Sequence, residues 1–319
     1  MDEHIASHNS TPDRQSFRSA MLEGFARSQK SIPSKFLYDA RGSVLFEQIS
    51  RQPDYYLTRA EIAILHEHAA DISAVVGPHA RLIEFGSGSS QKARILLGAL
   101  DRPAAYVPVD ISGEHLRKMA VCVARDFPIS VIPICTDYTA PFQLPALSDP
   151  SGKSVGFFGG TTIGNFEPEA AEHFLAHCAS ILGPGSEMII GVDIKKDSAI
   201  LDAAYNDAAG AMAAFSLNIL ERIKRDLDGD LDIGRFKHRA FFNAAEGRVE
   251  VYICSRANQT VRIAGQDFHL AAGELIQTVY SYKYSISEFH TLAARAGFSA
   301  INTWTDPGEL YSVQYFRLP

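Results

Sequence analysis

The chain reads as an α/β protein: a mostly parallel sheet with helices on both faces, interrupted by a second, α+β unit. Three observations predict this. Strand-sized apolar runs alternate with helix-sized segments from about residue 81 to 195. The alternation stops near residue 195 and resumes near residue 286, with alanine-rich helix and period-two strands between. A glycine-containing turn follows the first apolar run, at the place where open α/β sheets take ligands.

Each element has a local reason. "FLYDARGSVLFEQISRQPDYYLTRAEIAILHEHAADI" predicts a turn, a short helix, a Pro-marked loop and a long helix from about Thr58, where Thr58 and Glu61 have capping-box spacing. "RLIEFG" is a buried strand, followed by a helix from Ser90. "AYVPVD" is the next strand, and the helix from Ser112 puts Leu116 and Met119 on one face. "ISVIPICTD", "SVGFFGG", a helix from Pro168 to Ala179 and "SEMIIGVDI" continue the series. "DSAILDAAYNDAAGAMAAFSLNILERIKRDL" is helical. "RVEVYICSR", "QTVRIAG", "DFHLAAG" and "LIQTVYSYKYS" alternate as antiparallel strands. "ISEFHTLAARAGF" is a helix with Gly297 as its C-cap, and "YSVQYFRLP" is a final strand. The expected division is 61–195 with 286–319 as one domain and 15–60 with 196–285 as the other, after a flexible tail over 1–14. A cleft between two such units is the default ligand site.

Bulk properties narrow the function. With 319 residues the chain can bury a large core, and a formal net charge of -7 argues against broad nucleic-acid binding. No apolar run is long enough to span a membrane, and the polar, acidic start is not a signal peptide. The four cysteines are scattered, with no C-x-x-C pair, which fits a reducing, cytoplasmic setting. No H-E-x-x-H or cysteine array supports a metal site, and no G-x-S-x-G elbow supports a hydrolase triad. Oligomeric state is not readable from the residues, and a monomer is the expectation.

The turn in "RLIEFGSGSSQKAR" points to a nucleoside cofactor. Gly86 and Gly88 allow a tight turn with exposed N–H groups, and Asp110, at the next strand end, can accept from the two hydroxyls of a ribose. A dinucleotide fingerprint needs a third glycine where this chain has Gln91, and no phosphate-binding P-loop is present. E-x-G-x-G with a following acid is instead the S-adenosylmethionine pattern, a cofactor with no pyrophosphate to cradle. Asp110 is also readable as a helix cap. Asp137, ending "ICTD", can accept from an adenine amino group and is equally a plain cap. "FFGGTTIGNFEP" ends a strand in a turn whose Asn165 can donate and accept at once, and Asn165 also reads as a cap with Pro168 in the first helical turn. In "TVYSYKYS", Val279, Ser281 and Lys283 alternate with Tyr280, Tyr282 and Tyr284.

"FLYDARGSVLFEQISRQPDYYLTRAE", "LIEFGSGSSQKAR", "FFGGTTIGNFEP", "AAYNDAAGAMAAFSLNIL" and "TWTDP", in this order from about Pro33 to Pro307, resemble the ergothioneine-pathway histidine Nα-methyltransferase family. The resemblance implies a class I S-adenosylmethionine-dependent methyltransferase with a Rossmann-like core. It also implies a substrate-binding domain built from the N-terminal segment and a block after the fourth sheet strand. It puts Gly86, Lys92, Asp110 and Asp137 on the cofactor, with Gly88 in the same turn. It puts Tyr38 and Gly160 beside the reacting amino group, in the catalytic centre. Asn165 and Tyr205 match the pair that holds the substrate carboxylate, Tyr55 a side-chain contact and Ser281 a hydrogen bond to the imidazole of histidine.

Two positions depart from that pattern. Val279 stands where the histidine enzymes have glutamate, and Val251 where they have methionine. Valine cannot pair with an imidazole N–H, and a buried polar group left unpaired costs about 1–3 kcal/mol. The altered pocket is larger and more apolar, which suits an indole. The expected substrate is therefore a free aromatic amino acid, tryptophan first, trimethylated to a betaine. Histidine retained through a shifted tyrosine such as Tyr282 is the alternative. A non-catalytic S-adenosylmethionine-binding regulator and an NAD-dependent oxidoreductase are the readings of other classes.

Overall fold

The computed structural model describes residues 14–146 and 152–319. The expected tail lies outside the described residues as far as residue 13. Arg14 already opens α1 (Arg14–Ala26), whose Phe17, Met21 and Phe25 are buried although the segment is polar overall. A 3-10 turn over Ser34–Leu37 leads to α2 (Ala40–Ser50). Next come α3 (Tyr56–Glu67) and α4 (Ala69–Val76). The expected long helix is thus two helices. α3 starts at Tyr56, so Thr58 lies inside it and the Thr58–Glu61 pair caps nothing.

The alternating series follows as β1 (Arg81–Phe85), α5 (Gln91–Ala99), β2 (Ala105–Asp110) and α6 (Gly113–Asp126). It continues with β3 (Ser130–Val131), β4 (Ile134–Cys135), β5 (Ser154–Phe158), α7 (Pro168–Leu182) and β6 (Glu187–Asp193). The chain then forms α8 (Ser198–Ala204), α9 (Ala211–Leu227), β7 (Phe236–Asn243), β8 (Arg248–Ser255), β9 (Gln259–Ile263), β10 (Gln266–Leu270) and β11 (Leu275–Tyr282). It ends in α10 (Ile286–Arg295), β12 (Ser299–Thr305) and β13 (Tyr311–Arg317). Gly210, at φ +75°, separates α8 from α9 in what reads as one helical run.

Two compact units result. One holds Leu57–Lys195 with Lys283–Pro319; the other holds the described residues up to Tyr56 with Lys196–Tyr282. The first contains an eight-stranded sheet in the order β12-β13-β6-β5-β1-β2-β3, with β4 also on β2. β1 to β6 run parallel, while β13 is antiparallel to β6 and β12 to β13. That is the class I methyltransferase order, with β1 and β5 at the switch point where open sheets bind ligands. The inserted segment leaves after β6, one strand later than the resemblance implies when β3 and β4 count as one interrupted strand.

The exit and return of that segment are stitched within the first unit. Ile194 forms a parallel bridge with Tyr284, Lys195 N–H donates to Tyr284 O at 3.2 Å, and Tyr284 N–H donates to Asp193 O at 3.2 Å. The Lys283 ammonium meets the Asp193 carboxylate at 2.6 Å with both side chains fully buried.

The second unit pairs a three-stranded antiparallel sheet, β11-β8-β7, and a two-stranded one, β10-β9, with α1, α2, α8 and α9. Asp39 caps α2 through Gly42 N–H at 2.8 Å and receives Asn218 and Arg225 from α9 at 2.8 and 2.9 Å. Burial alone would raise the Asp39 carboxyl, yet these donors hold it below its ordinary value. Arg222 stacks over Phe17 and donates to Phe36 O at 2.8 Å, which explains why so polar an N-terminal segment is ordered.

Removing one partner of the buried pair should be costly. Asp193→Asn is expected to lose about 3–5 kcal/mol, because an ammonium stays buried without a counter-charge. Replacing both residues, as Asp193→Leu with Lys283→Met, should recover most of the loss, as measured by denaturant unfolding.

Candidate active site

In the first unit the carboxyl ends of β1, β2, β4 and β5 gather the polar groups. Gly86 and Gly88 both have positive φ, +78° and +47°, and a Cβ on Gly86 would come within 3.3 Å of the Tyr138 ring. Glycine takes these angles without strain, and nothing lies within 4 Å of where a Gly88 side chain would start, so the turn is open there. Gly86 N–H donates to Val109 O at 2.8 Å, and Gly88 N–H to Asp110 Oδ2 at 3.2 Å. Asp110 Oδ1 also accepts from Ser112 N–H at 2.9 Å. The acid thus caps its own turn and joins two strand ends. Each of its oxygens keeps acceptor capacity for a ligand hydroxyl. Asp137 follows Thr136, whose N–H donates to Asp110 O, and its carboxylate caps Thr139 through N–H at 3.0 Å and hydroxyl at 2.6 Å. Ser87 Oγ and Thr161 Oγ1 are buried and make no hydrogen bond within the described residues. An open glycine turn, a half-committed acid and two unsatisfied hydroxyls fit a nucleoside cofactor with an amino acid tail.

Two buried acids accompany this turn. Glu84 accepts from the Tyr106 hydroxyl, which also lies 3.2 Å from Ser90 Oγ. Burial pushes the Glu84 carboxyl up to about 8, against the opposing pull of Tyr106 and Lys92. Glu61, from α3, forms an ion pair with Lys92 on α5 and accepts the Gly160 N–H. Its role was hidden in the sequence behind its capping-box spacing. The loop after β5 holds Gly160 and then a 3-10 turn over Thr162–Asn165. Asn165 is half-buried and does not cap α7, since the cap position is Glu167 with Pro168 next.

The second unit holds an aromatic cluster. Tyr38 packs against Phe46 and Phe215 with centroids 5.6 and 5.2 Å away, Phe46 against Tyr55 at 6.2 Å, and Tyr55 against Tyr205 at 6.4 Å. Phe46 and Phe215 lie within the stretches that carry the resemblance, but neither was singled out as a site residue. Burial, with the neighbouring Tyr205, raises the Tyr38 hydroxyl well above its ordinary range, so it stays protonated at neutral pH. Tyr205 ends α8; its hydroxyl donates to Ser281 Oγ at 2.9 Å, and its carbonyl lies 2.9 Å from His238 Nε2. Burial lowers the His238 pKa, so the neutral ring donates here.

Val279 and Val251 are direct register partners across β11 and β8, and Ser281 pairs with Val249 on the same face. A bulge at Thr278, whose hydroxyl donates to Val251 O at 3.0 Å, sets that phase. Tyr280 and Tyr282 take the opposite face, across from Glu250 and Arg248. There Arg248 stacks on Tyr280 at 3.7 Å and donates to the Tyr282 hydroxyl at 2.5 Å, while Glu250 accepts from Arg248, Asn243 and Tyr252.

Among the described residues no group of three or more His, Cys, Asp or Glu side chains is arranged for a metal ion, and no helix is long and apolar enough to cross a membrane. A cavity of about 540 Å³ beside Arg81 and Gly152 lies at the amino end of β1, away from all of these groups.

Comparison with known proteins agrees with this geometry. The profile described as "Histidine-specific methyltransferase, SAM-dependent" matches residues 17–318. The chain is 36% identical over 300 residues to the histidine N-alpha-methyltransferase of Mycolicibacterium smegmatis, covering 92% of each chain. It is 35% identical over 296 residues to the Mycobacterium tuberculosis protein of the same name, covering 91% of each. It is also similar to the N-methyltransferase fsqC of Aspergillus fumigatus, at 24% over 301 residues, covering 92% of this chain and 81% of that one. A profile spanning nearly the whole chain, on a class I sheet with an open glycine turn, sets the oxidoreductase and regulator readings aside: the chain belongs to the histidine-specific, S-adenosylmethionine-dependent methyltransferase family.

Proposed function

We propose that this enzyme methylates the α-amino group of a free aromatic L-amino acid, L-tryptophan by preference, up to the trimethylated betaine. It does so as a cytoplasmic monomer. The observation that carries the reading is the Val251–Val279 register pair on the face that also bears Ser281. This patch offers an apolar wall and one hydroxyl, which suits an indole with its single N–H. The nearest strand carboxylate, Glu250, is engaged on the opposite face. Tyr282 is engaged there too, with Arg248, which weakens it as a substitute partner for an imidazole. Histidine is the second reading, favoured by the identity to relatives named for that activity.

In this reading Gly86, Gly88, Lys92, Asp110 and Asp137 hold S-adenosylmethionine, which supplies a methyl carbon made electrophilic by its sulfonium. Asn165 and Tyr205 hold the substrate carboxylate, Tyr55 packs on the side chain and Ser281 takes the ring N–H. Tyr38 and Gly160 flank the amine. The amine must be neutral to offer a lone pair. An α-amino group titrates near pH 8 in peptides and higher in a free amino acid, so a neutral fraction is available and no strong base is essential. Tyr38, held protonated, orients the amine through its oxygen lone pairs rather than taking its proton, which leaves through water. Alignment with the S–CH₃ bond is then the main contribution of the protein.

Three outcomes test this. Asp110→Ala should weaken binding of S-adenosylhomocysteine at least about tenfold in calorimetry, through loss of a charged acceptor; unchanged affinity removes Asp110 from the cofactor site. Tyr205→Phe and Asn165→Ala should each lower kcat/KM for the amino acid, and the parent enzyme should neglect the decarboxylated amine. Equal turnover of amine and amino acid would remove the clamp. In a competition among all twenty free amino acids, read by mass spectrometry, tryptophan should exceed histidine at least about tenfold in kcat/KM. Val279→Glu should narrow or reverse that gap by burying a charge beside the indole. Histidine winning in the parent enzyme would reject tryptophan and leave the methyltransferase intact.

A further inference from the structure

We propose that Glu61 is a positioning residue for methyl transfer, a single carboxylate that sets both the Lys92 ammonium and the backbone of the Gly160 turn. The proposal rests on the reading above, in which Lys92 contacts the cofactor and Gly160 adjoins the reacting amine.

Glu61 is fully buried in the middle of α3. Its two oxygens lie 2.8 and 2.9 Å from Gly160 N, and it forms an ion pair with Lys92, whose side chain is 22% exposed. The Gly160 carbonyl accepts from the Tyr311 hydroxyl at 2.5 Å. Donor and acceptor of Gly160 are therefore both pinned, one from α3 and one from β13. Gly160 itself sits at φ +73°, a conformation that a side chain would strain. The carboxylate reaches this point because β6 has Gly191 below it: a Cβ there would come within 2.6 Å of Glu61 Oε1 and 2.8 Å of Gly160 O.

A carboxylate in so dry a place is costly unless its charge is met. Lys92 meets it, and Glu61 in turn fixes where the ammonium stands. The loop that leads from Gly160 to Asn165 starts from the same anchor. One group thus links the cofactor side of the site to the turn beside the amine. Stability alone would be served as well by an apolar side chain of similar volume.

The test uses the full chain as wild type, Glu61→Gln, Glu61→Asp, Lys92→Met and the Glu61→Gln/Lys92→Met double variant. S-adenosylhomocysteine affinity is measured by calorimetry, and kcat and KM for the amino acid at saturating S-adenosylmethionine. The active concentration of each variant is taken from its calorimetric stoichiometry, and folding is checked by circular dichroism at the assay temperature, so a lost folded fraction does not pass for a lower kcat or a weaker affinity. Glu61→Gln should weaken S-adenosylhomocysteine binding and lower kcat, each at least about tenfold. The double variant should fall within about threefold of the worse single variant, because the two residues act as one unit. Glu61→Asp, which keeps the charge with a shorter reach, should lie between wild type and Gln. The proposal is overturned if Glu61→Gln stays within about threefold of wild type in both readouts, or if the single effects multiply. Should the Gln variant not fold, Glu61→Asp matching wild type overturns it instead. Unchanged affinity in Lys92→Met would overturn the cofactor role of Lys92, and the proposal with it.

Discussion

The buried pair of Lys283 and Asp193 closes the parallel core at the point where the inserted segment leaves and returns. An ammonium and a carboxylate with no solvent exposure carry a large desolvation cost, repaid only by close contact and by hydrogen bonds around them. The Ile194–Tyr284 bridge beside the pair adds backbone hydrogen bonds of its own, which tie the leaving and returning segments together. The excursion can be long because its ends are joined here. β6 and β13 then pair over their full length as if the chain had never left the sheet.

The first unit manages its buried acids in two different ways. Glu84 accepts from the Tyr106 hydroxyl, and burial pushes its carboxyl up to about 8 against the pull of Tyr106 and Lys92. Glu61 is equally buried but meets an ammonium and a backbone N–H. The difference lies in the contacts: Glu61 touches the Lys92 ammonium and the Gly160 N–H, and Glu84 touches the Tyr106 hydroxyl. The second unit places its charges apart from its apolar patch. Its strand alternation sends Arg248, Glu250, Tyr280 and Tyr282 to one face and leaves Val249, Val251, Val279 and Ser281 on the other.

Much of the core was legible in the sequence. Strand and helix periods are local, so "RLIEFG", "AYVPVD", "SVGFFGG" and "SEMIIGVDI" announce themselves, and their alternation implies a parallel sheet. Less regular segments were not announced. β7 begins "FKHR", with charges at positions that mask its period, and β12 is a half-exposed strand without apolar alternation. α1 is ordered by Arg222 and Phe36, which lie far along the chain or beyond its own end.

The sequence by itself determined the class of fold, the glycine turn with its following acid, and the family, because these rest on short spacings and on order along the chain. The tertiary structure decided which long-range partners those residues meet. The pattern Ser/Thr-x-x-Glu occurs at Thr58–Glu61 and at Ser285–Glu288. Only the second is a capping box, because α10 begins there and α3 begins two residues before Thr58. Spacing cannot distinguish the two, since a cap depends on where the helix starts. Val251 and Val279 likewise became one patch only through strand pairing and a bulge, both set by contacts between segments that sequence spacing does not encode.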